Sequence, residues 1–203
     1  MHILGYFLNT SNDFEATLEE LRVRRNIRNE KIIDKLMNLG FEISLEDILQ
    51  EAHGESVGRL HIAAVMMKKG YSRSINEAFE IYLGDGKKAY FERDRLSPNE
   101  GIQLIKSVGG IPVLAHPRYL KQEDLEKIIS GLKDIGLQGL EVYYSINRKE
   151  ETKRYSRLAK KYALIATGGT DFHGLNKPDI DIGTGLGDFR IEYNIIEKMR
   201  LLL

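Results

Sequence analysis

Two short apolar runs in this chain end in residues that bind metals. One is Ile111-Pro112-Val113-Leu114-Ala115-His116-Pro117, and the other runs from Leu164 through Gly168-Gly169-Thr170 to Asp171-Phe172-His173-Gly174. An aliphatic run followed at once by His, or by Asp-x-His, is how a barrel strand delivers ligands to its C-terminal rim. In an extended segment, residues two apart point the same way, so Asp171 and His173 are expected to face one cluster. Gly168, Gly169 and Gly174 would allow the close backbone approach that a crowded site needs. The competing reading is a polar loop with an Asx-turn and an exposed His. Pro117 disfavours helical geometry at His116 and is expected to hold it extended at the strand end. A lone His there is more often a core or loop residue; beside Asp171 and His173 the ligand reading is the stronger.

Three further positions carry polar chemistry. His2 precedes an apolar strand, and its imidazole could point to the same rim. In Gly58-Arg59-Leu60-His61, Arg59 could clamp a phosphate bidentately and His61 could hydrogen-bond it or move a proton. The alternative, a solvated Arg and a helix-capping His, is slightly favoured by the local sequence. His53 reads as a surface residue. Arg24, Arg25 and Arg28 read as a charged helix face, with a phosphate-facing role as the other option. The chain has no Walker A loop, no Gly-x-Gly-x-x-Gly fingerprint and no Gly-x-Ser-x-Gly elbow. Gly183-Thr184-Gly185-Leu186-Gly187 is glycine-rich but opens no evident helix.

The elements that must position these residues alternate along the second half of the chain. Residues 2–8 read as a buried strand. From Asp13 to about Tyr90 the pattern is helical and charged, with Phe14, Leu18, Leu21, Ile27 and Leu36 at mostly helical spacing and Gly40 as a stop. Ser44 and Ser74 open further helices through capping signatures. This block reads as an inserted subdomain. Ser97-Pro98-Asn99-Glu100 then gives the strongest helix start in the chain. Helices to Gly109, over 122–134 and over 148–162 alternate with strands 111–115, 139–144 and 164–168, and a helical tail covers 192–203. Such αβ units imply parallel strands with right-handed crossovers, in a closed barrel or an open sheet. The expected division is a barrel strand over 1–12, a helical insertion over 13–96 and αβ units over 97–203.

Composition narrows the chemistry. The 203 residues hold 30 basic and 30 acidic side chains, so no global field draws in polyanions. With no cysteine, disulfides, thiolate metal sites and Cys nucleophiles are all excluded. A metal must be held by His and carboxylates, which favours Zn, Mn or Fe. No apolar run approaches the ~20 residues of a membrane helix, and no signal-type stretch opens the chain, so a cytoplasmic location is expected.

In order, His2-Ile-Leu-Gly-Tyr6, Gly58-Arg-x-His-Ile-Ala63, Gly109-Gly-Ile-Pro-Val-Leu-Ala-His-Pro117, Gly139-Leu-Glu-Val-Tyr-Tyr144 and Gly168-Gly-Thr-Asp-Phe-His-Gly174 resemble motifs of the PHP (polymerase and histidinol phosphatase) superfamily. The branch it resembles is that of stand-alone metal-dependent phosphoesterases with a helical insertion. The resemblance implies a distorted (β/α)7 TIM-like barrel with two or three divalent ions at the strand ends. It implies that His2 and His116 share one metal, Asp171 binds a second and His173 a third. Arg59 and His61 would meet the substrate phosphate, and His173 or His61 would protonate the leaving oxygen. The implied substrates are phosphorylated small molecules, nucleotides or short oligonucleotides.

The family's opening His-x-His, Asp, Thr-Asp-His and bridging Glu motifs, which stand ahead of His-Ile-Leu-Gly-Tyr, are not in this sequence. The resemblance therefore implies the C-terminal portion of the barrel with about half of the ligands. A misassigned start codon, with those ligands encoded just upstream, is one account. An incomplete barrel would expose apolar strand edges, which invites a homo-oligomer. The alternative expectation is an inactive truncated protein serving as a binding or assembly module.

Overall fold

The computed structural model describes residues 1–52, 57–92, 95–174 and 177–203, so His53 lies outside the described residues. The chain divides into two compact units, Met1–Phe14 with Leu96–Leu203, and Glu15–Arg95.

The first unit is built on a four-stranded mixed sheet. Its strands are β1 (Ile3–Tyr6), β2 (Ile111–Leu114), β3 (Gly139–Tyr144) and β4 (Ile165–Gly169), in the spatial order β1-β2-β3-β4. β2, β3 and β4 run parallel, as three successive αβ units require, with Val113 opposite Gly139 and Leu140 opposite Ala166. β1 departs from the expectation. It spans four residues, runs antiparallel to β2 with Ile3 opposite Leu114, and is only half covered. As an outermost strand it has a neighbour on one side only, so Leu4 stays 37% exposed.

Helices cover both faces of the sheet. α5 (Pro98–Ser107), α6 (Leu125–Asp134) and α7 (Lys149–Lys161) bury Ile102, Leu125, Ile129 and Tyr155 against Leu114, Leu140 and Val142. On the other side, Ile195 and Met199 of α8 (Asn194–Arg200) pack on Ile111 and Val113. Burial on both faces explains why β2 reads as an unbroken apolar run. The start of α5 is fixed as its sequence demands. The Glu100 amide donates to Ser97 Oγ at 3.2 Å, and the Ser97 amide to Glu100 Oε2 at 2.7 Å.

The second unit is helical, with α1 (Asn12–Asn38) entering it, then α2 (Leu45–Ala52), α3 (Arg59–Lys68), α4 (Ile75–Ala78) and a π-helical turn over Phe79–Leu83. Its core is Ile32, Leu36, Ile48, Ile62, Met66 and Leu83. The buried stripe of α1 is the expected one only in part, with Phe14 and Leu36 buried. Leu18 and Ile27 remain exposed, while Ile32, Ile33 and Leu36 are covered. Periodicity locates an apolar stripe, but packing partners decide which part of it is buried. Ser44 and Ser74 cap α2 and α4, with Ser44 Oγ accepting from the Asp47 amide at 3.1 Å and Ser74 Oγ from Glu77 at 3.1 Å. Among the described residues, no helix is long and apolar enough to cross a membrane.

Candidate metal centre

The ends of β1, β2, β3 and β4 meet at a cleft of about 230 Å³ in the first unit. Its lining includes His2, Tyr6, His116, Glu141, Gly169 and Asp171. His2 and His116 are 114 positions apart in sequence, yet His2 Nδ1 stands 3.0 Å from His116 Nε2. The antiparallel register of β1 on β2 produces this meeting, carried on by the Ala115 amide donating to the His2 carbonyl at 3.1 Å. Two imidazole nitrogens sharing a tetrahedral zinc stand about 3.3 Å apart, given Zn–N bonds of about 2.0–2.1 Å. At 3.0 Å the two nitrogens are within hydrogen-bonding distance of each other and close to that spacing. Among the described residues, no three His, Asp or Glu side chains gather closely enough to hold a metal by themselves.

His116 is not extended as its proline neighbour led us to expect. It lies at φ 27°, ψ 65°, in left-handed space. Proline pushes the residue before it toward extended backbone, so the left-handed His116 is held against that preference by its surroundings. The His116 amide donates to Glu141 Oε2 at 2.6 Å, a bond that this backbone turn directs inward. Asp171 is a second non-glycine residue with positive φ, at 52°. The Asp171–His173 segment is consequently not extended, yet the two side chains still meet, with His173 Nδ1 3.6 Å from Asp171 Oδ1. His173 Nδ1 turns back to the Asp171 carbonyl at 2.7 Å and is half exposed. The structure thus brings His2, His116 and Asp171 to one cleft and leaves His173 at its margin beside Asp171.

Four residues shape this site that sequence reasoning gave no role. Glu141 is 4% exposed on β3. Burial pushes its carboxyl above the usual range, the hydrogen bond from His116 opposes that, and the nearby Asp171 charge adds to it. A buried acid inside the otherwise apolar Gly-Leu-Glu-Val-Tyr-Tyr run was the available signal, because buried carboxylates are rare without a partner. Tyr6 beside it is pushed up by burial and by the Glu141 charge. The Tyr144 hydroxyl donates to Asp171 Oδ2 at 3.1 Å and meets the Tyr119 hydroxyl at 3.4 Å. Burial, the Tyr119 contact and the Asp171 charge raise the Tyr144 phenol, so it stays a donor at neutral pH. Lys177 Nζ lies 2.5 Å from Asp171 Oδ2. Burial works against the Asp171 charge, but the Lys177 ammonium and the Tyr144 hydroxyl outweigh it and hold the carboxyl below its usual range.

Arg59 and His61 belong to the second unit. His61 is the third residue of α3, and its Nδ1 accepts from the Gly58 amide at 3.2 Å, which is the geometry of a helix cap. Arg59 donates to the Leu83 carbonyl at 2.8 Å and to Asp85 Oδ1 at 3.2 Å. Its guanidinium also lies 5.8 Å from the Phe79 ring and 5.6 Å from that of Tyr90. A cleft of about 270 Å³ at this helix start is lined by Arg25, Arg28, Gly58, Arg59 and Phe79. Three guanidinium groups on one small concavity give it a basic lining.

No family model matches the chain. It is 31% identical over 176 residues to a 5'-3' exoribonuclease of Haemophilus influenzae, an alignment covering 85% of this chain and 64% of that protein. It is 26% identical over 177 residues to the phosphoribosyl 1,2-cyclic phosphate 1,2-diphosphodiesterase of Eggerthella lenta, covering 86% of this chain and 66% of the relative. The chain therefore spans a little under two thirds of these relatives' lengths. A crystal structure of a protein from Bifidobacterium adolescentis, assigned as a metal-dependent phosphoesterase, matches 99% of this chain and 71% of its own, with a TM-score of 0.74 and 27% identity. An amidohydrolase from Chromobacterium violaceum shares the fold, with a TM-score of 0.77 at 22% identity over 99% of this chain and 71% of its own. These sequence relatives cleave phosphoesters, and this α/β chain is homologous to them.

Proposed function

We propose that this chain forms part of a metal-dependent phosphoesterase of the PHP superfamily that hydrolyses nucleotide or short-oligonucleotide phosphoesters. One observation carries the reading: His2 Nδ1 and His116 Nε2 stand 3.0 Å apart at a cleft also lined by Asp171. Two imidazoles and a carboxylate are ligands suited to Mn, Zn or Fe. A bound ion of this kind supplies Lewis acidity and lowers the pKa of water for attack on phosphorus. In this proposal His2 and His116 hold one ion, Asp171 holds a second and His173 a third. His173, half exposed at the margin, delivers a proton to the leaving oxygen. In the second unit Arg59, with His61 two residues on, offers a phosphate-binding position at the start of α3. The exoribonuclease and the cyclic phosphodiesterase among the relatives favour a nucleotide-like substrate.

The second reading is a chain that binds metal or another subunit without hydrolysis. Phosphate release from nucleotide monophosphates, nucleoside bisphosphates and short oligoribonucleotides with added Mn or Zn separates the two. Metal-dependent turnover that disappears in His116→Ala is the expected result. Turnover no greater than that of His116→Ala, together with a metal-free oligomer in solution, would establish the second reading.

A further inference from the structure

Glu141 and Tyr144 are three residues apart on β3, a spacing that sends side chains to opposite faces of a regular strand. Glu141 nevertheless lines the cleft, and Tyr144 reaches the carboxylate of Asp171 there. Glu141 stands opposite Thr167 and Tyr143 opposite Gly168, so β3 carries one extra residue between these pairs. A bulge of this type turns over the side chains that follow it and re-aims them. Under unbroken alternation Tyr144 would follow Leu140 and Val142 into the helix-covered core. Instead its hydroxyl reaches Asp171 beyond β4, while Glu141 reaches the His116 amide beyond β2. The two residues that they grip are the two candidate ligands in left-handed backbone, His116 at φ 27° and Asp171 at φ 52°. Such conformations persist in non-glycine residues only where surrounding structure enforces them. Room for the Glu141 carboxylate is made by Gly169, where a Cβ would stand 2.8 Å from Glu141 Oε1.

We infer that Glu141 and Tyr144 are positioning residues: the bulged end of β3 holds the His116 backbone through its amide and the Asp171 side chain through its carboxylate, so that both ligands stay turned toward one cleft. The inference rests on the reading of His116 and Asp171 as metal ligands, but half of its test does not. Outer partners of metal ligands typically change affinity about 10- to 100-fold when removed.

Two readouts apply to the whole chain: hydrogen exchange at the His116 amide, and Mn²⁺ or Zn²⁺ titration by calorimetry. Glu141→Ala is expected to speed His116 exchange and to weaken metal binding about tenfold or more. Glu141→Gln, which keeps an acceptor oxygen, is expected to restore both to near the starting values. Gly169→Ala displaces the carboxylate while keeping it in the chain, and is expected to speed His116 exchange even where Glu141→Ala does not fold. Tyr144→Phe should weaken metal binding and leave His116 exchange unchanged. Unchanged His116 exchange in Glu141→Ala and Gly169→Ala would overturn the Glu141 role. A Gln variant as impaired in metal binding as the Ala variant would overturn it too, by making the charge a direct ligand. Unchanged metal affinity in Tyr144→Phe would overturn the Tyr144 role. If the unaltered chain binds neither ion, the ligand reading and with it the Tyr144 role fail, and the His116 exchange rates still decide the role of Glu141.

Discussion

At the scale of single residues, the site is a balance of buried acids against few cations. Glu141 and Asp171 both face the cleft, and Lys177 is the ammonium bound to Asp171. Because the folded-state carboxyl of Asp171 is depressed, its contribution to stability is present above about pH 4 and is lost as pH falls through the depressed value. Lys177→Met removes the main opposition to burial. The Asp171 carboxyl should then titrate upward, toward or past about 3.9, in a carbon-13 NMR titration. An unmoved Asp171 would show that Tyr144 and the backbone set its ionisation. Residue identity made His116, Asp171 and His173 legible as candidate ligands, because these types stand together at the ends of apolar runs. It could not reveal the left-handed backbone at His116 and Asp171, nor that Glu141 and Tyr144 of β3 would meet the His116 amide and the Asp171 carboxylate.

At the scale of elements, glycines in different settings should behave in opposite ways. A Cβ at Gly168 in β4 would stand 2.4 Å from the Tyr143 carbonyl and 2.4 Å from Ile191 Cδ1. Backbone cannot yield there as a flexible side chain would, so Gly168→Ala should destabilise the first unit by about 3 kcal/mol. Gly131 lies within α6 with open space around it, and Gly131→Ala should stabilise by about 0.5–1 kcal/mol. Urea denaturation of both variants measures the contrast. The helix starts at Ser44, Ser74 and Ser97 were legible because a cap is a contact between residues three apart. β1 was legible as a strand but not in its direction or exposure. Direction depends on which partner it finds, and the antiparallel pairing with β2 is a contact across more than a hundred residues.

At the scale of the whole molecule, two units with separate cores imply unfolding that is not a single two-state step. Calorimetry should resolve two transitions, and Mn²⁺ or Zn²⁺ should raise only the one belonging to the sheet-containing unit. At a hundredfold excess over Kd the gain is about 2.7 kcal/mol. The shift should vanish in His116→Ala, whereas movement of both transitions would mean that the ion links the units. The sequence alone determined the element order of the sheet-containing unit, the helical character of the other and the placing of His and Asp at strand ends. Each of these is written in residues a few positions apart. Only the tertiary structure decided that His2 meets His116, that His61 caps α3 and that a bulge in β3 aims Glu141 and Tyr144 at the same cleft. His2–His116 and the bulge rest on strand register, which distant partners fix; the His61 cap is visible only in its hydrogen bond with the Gly58 amide.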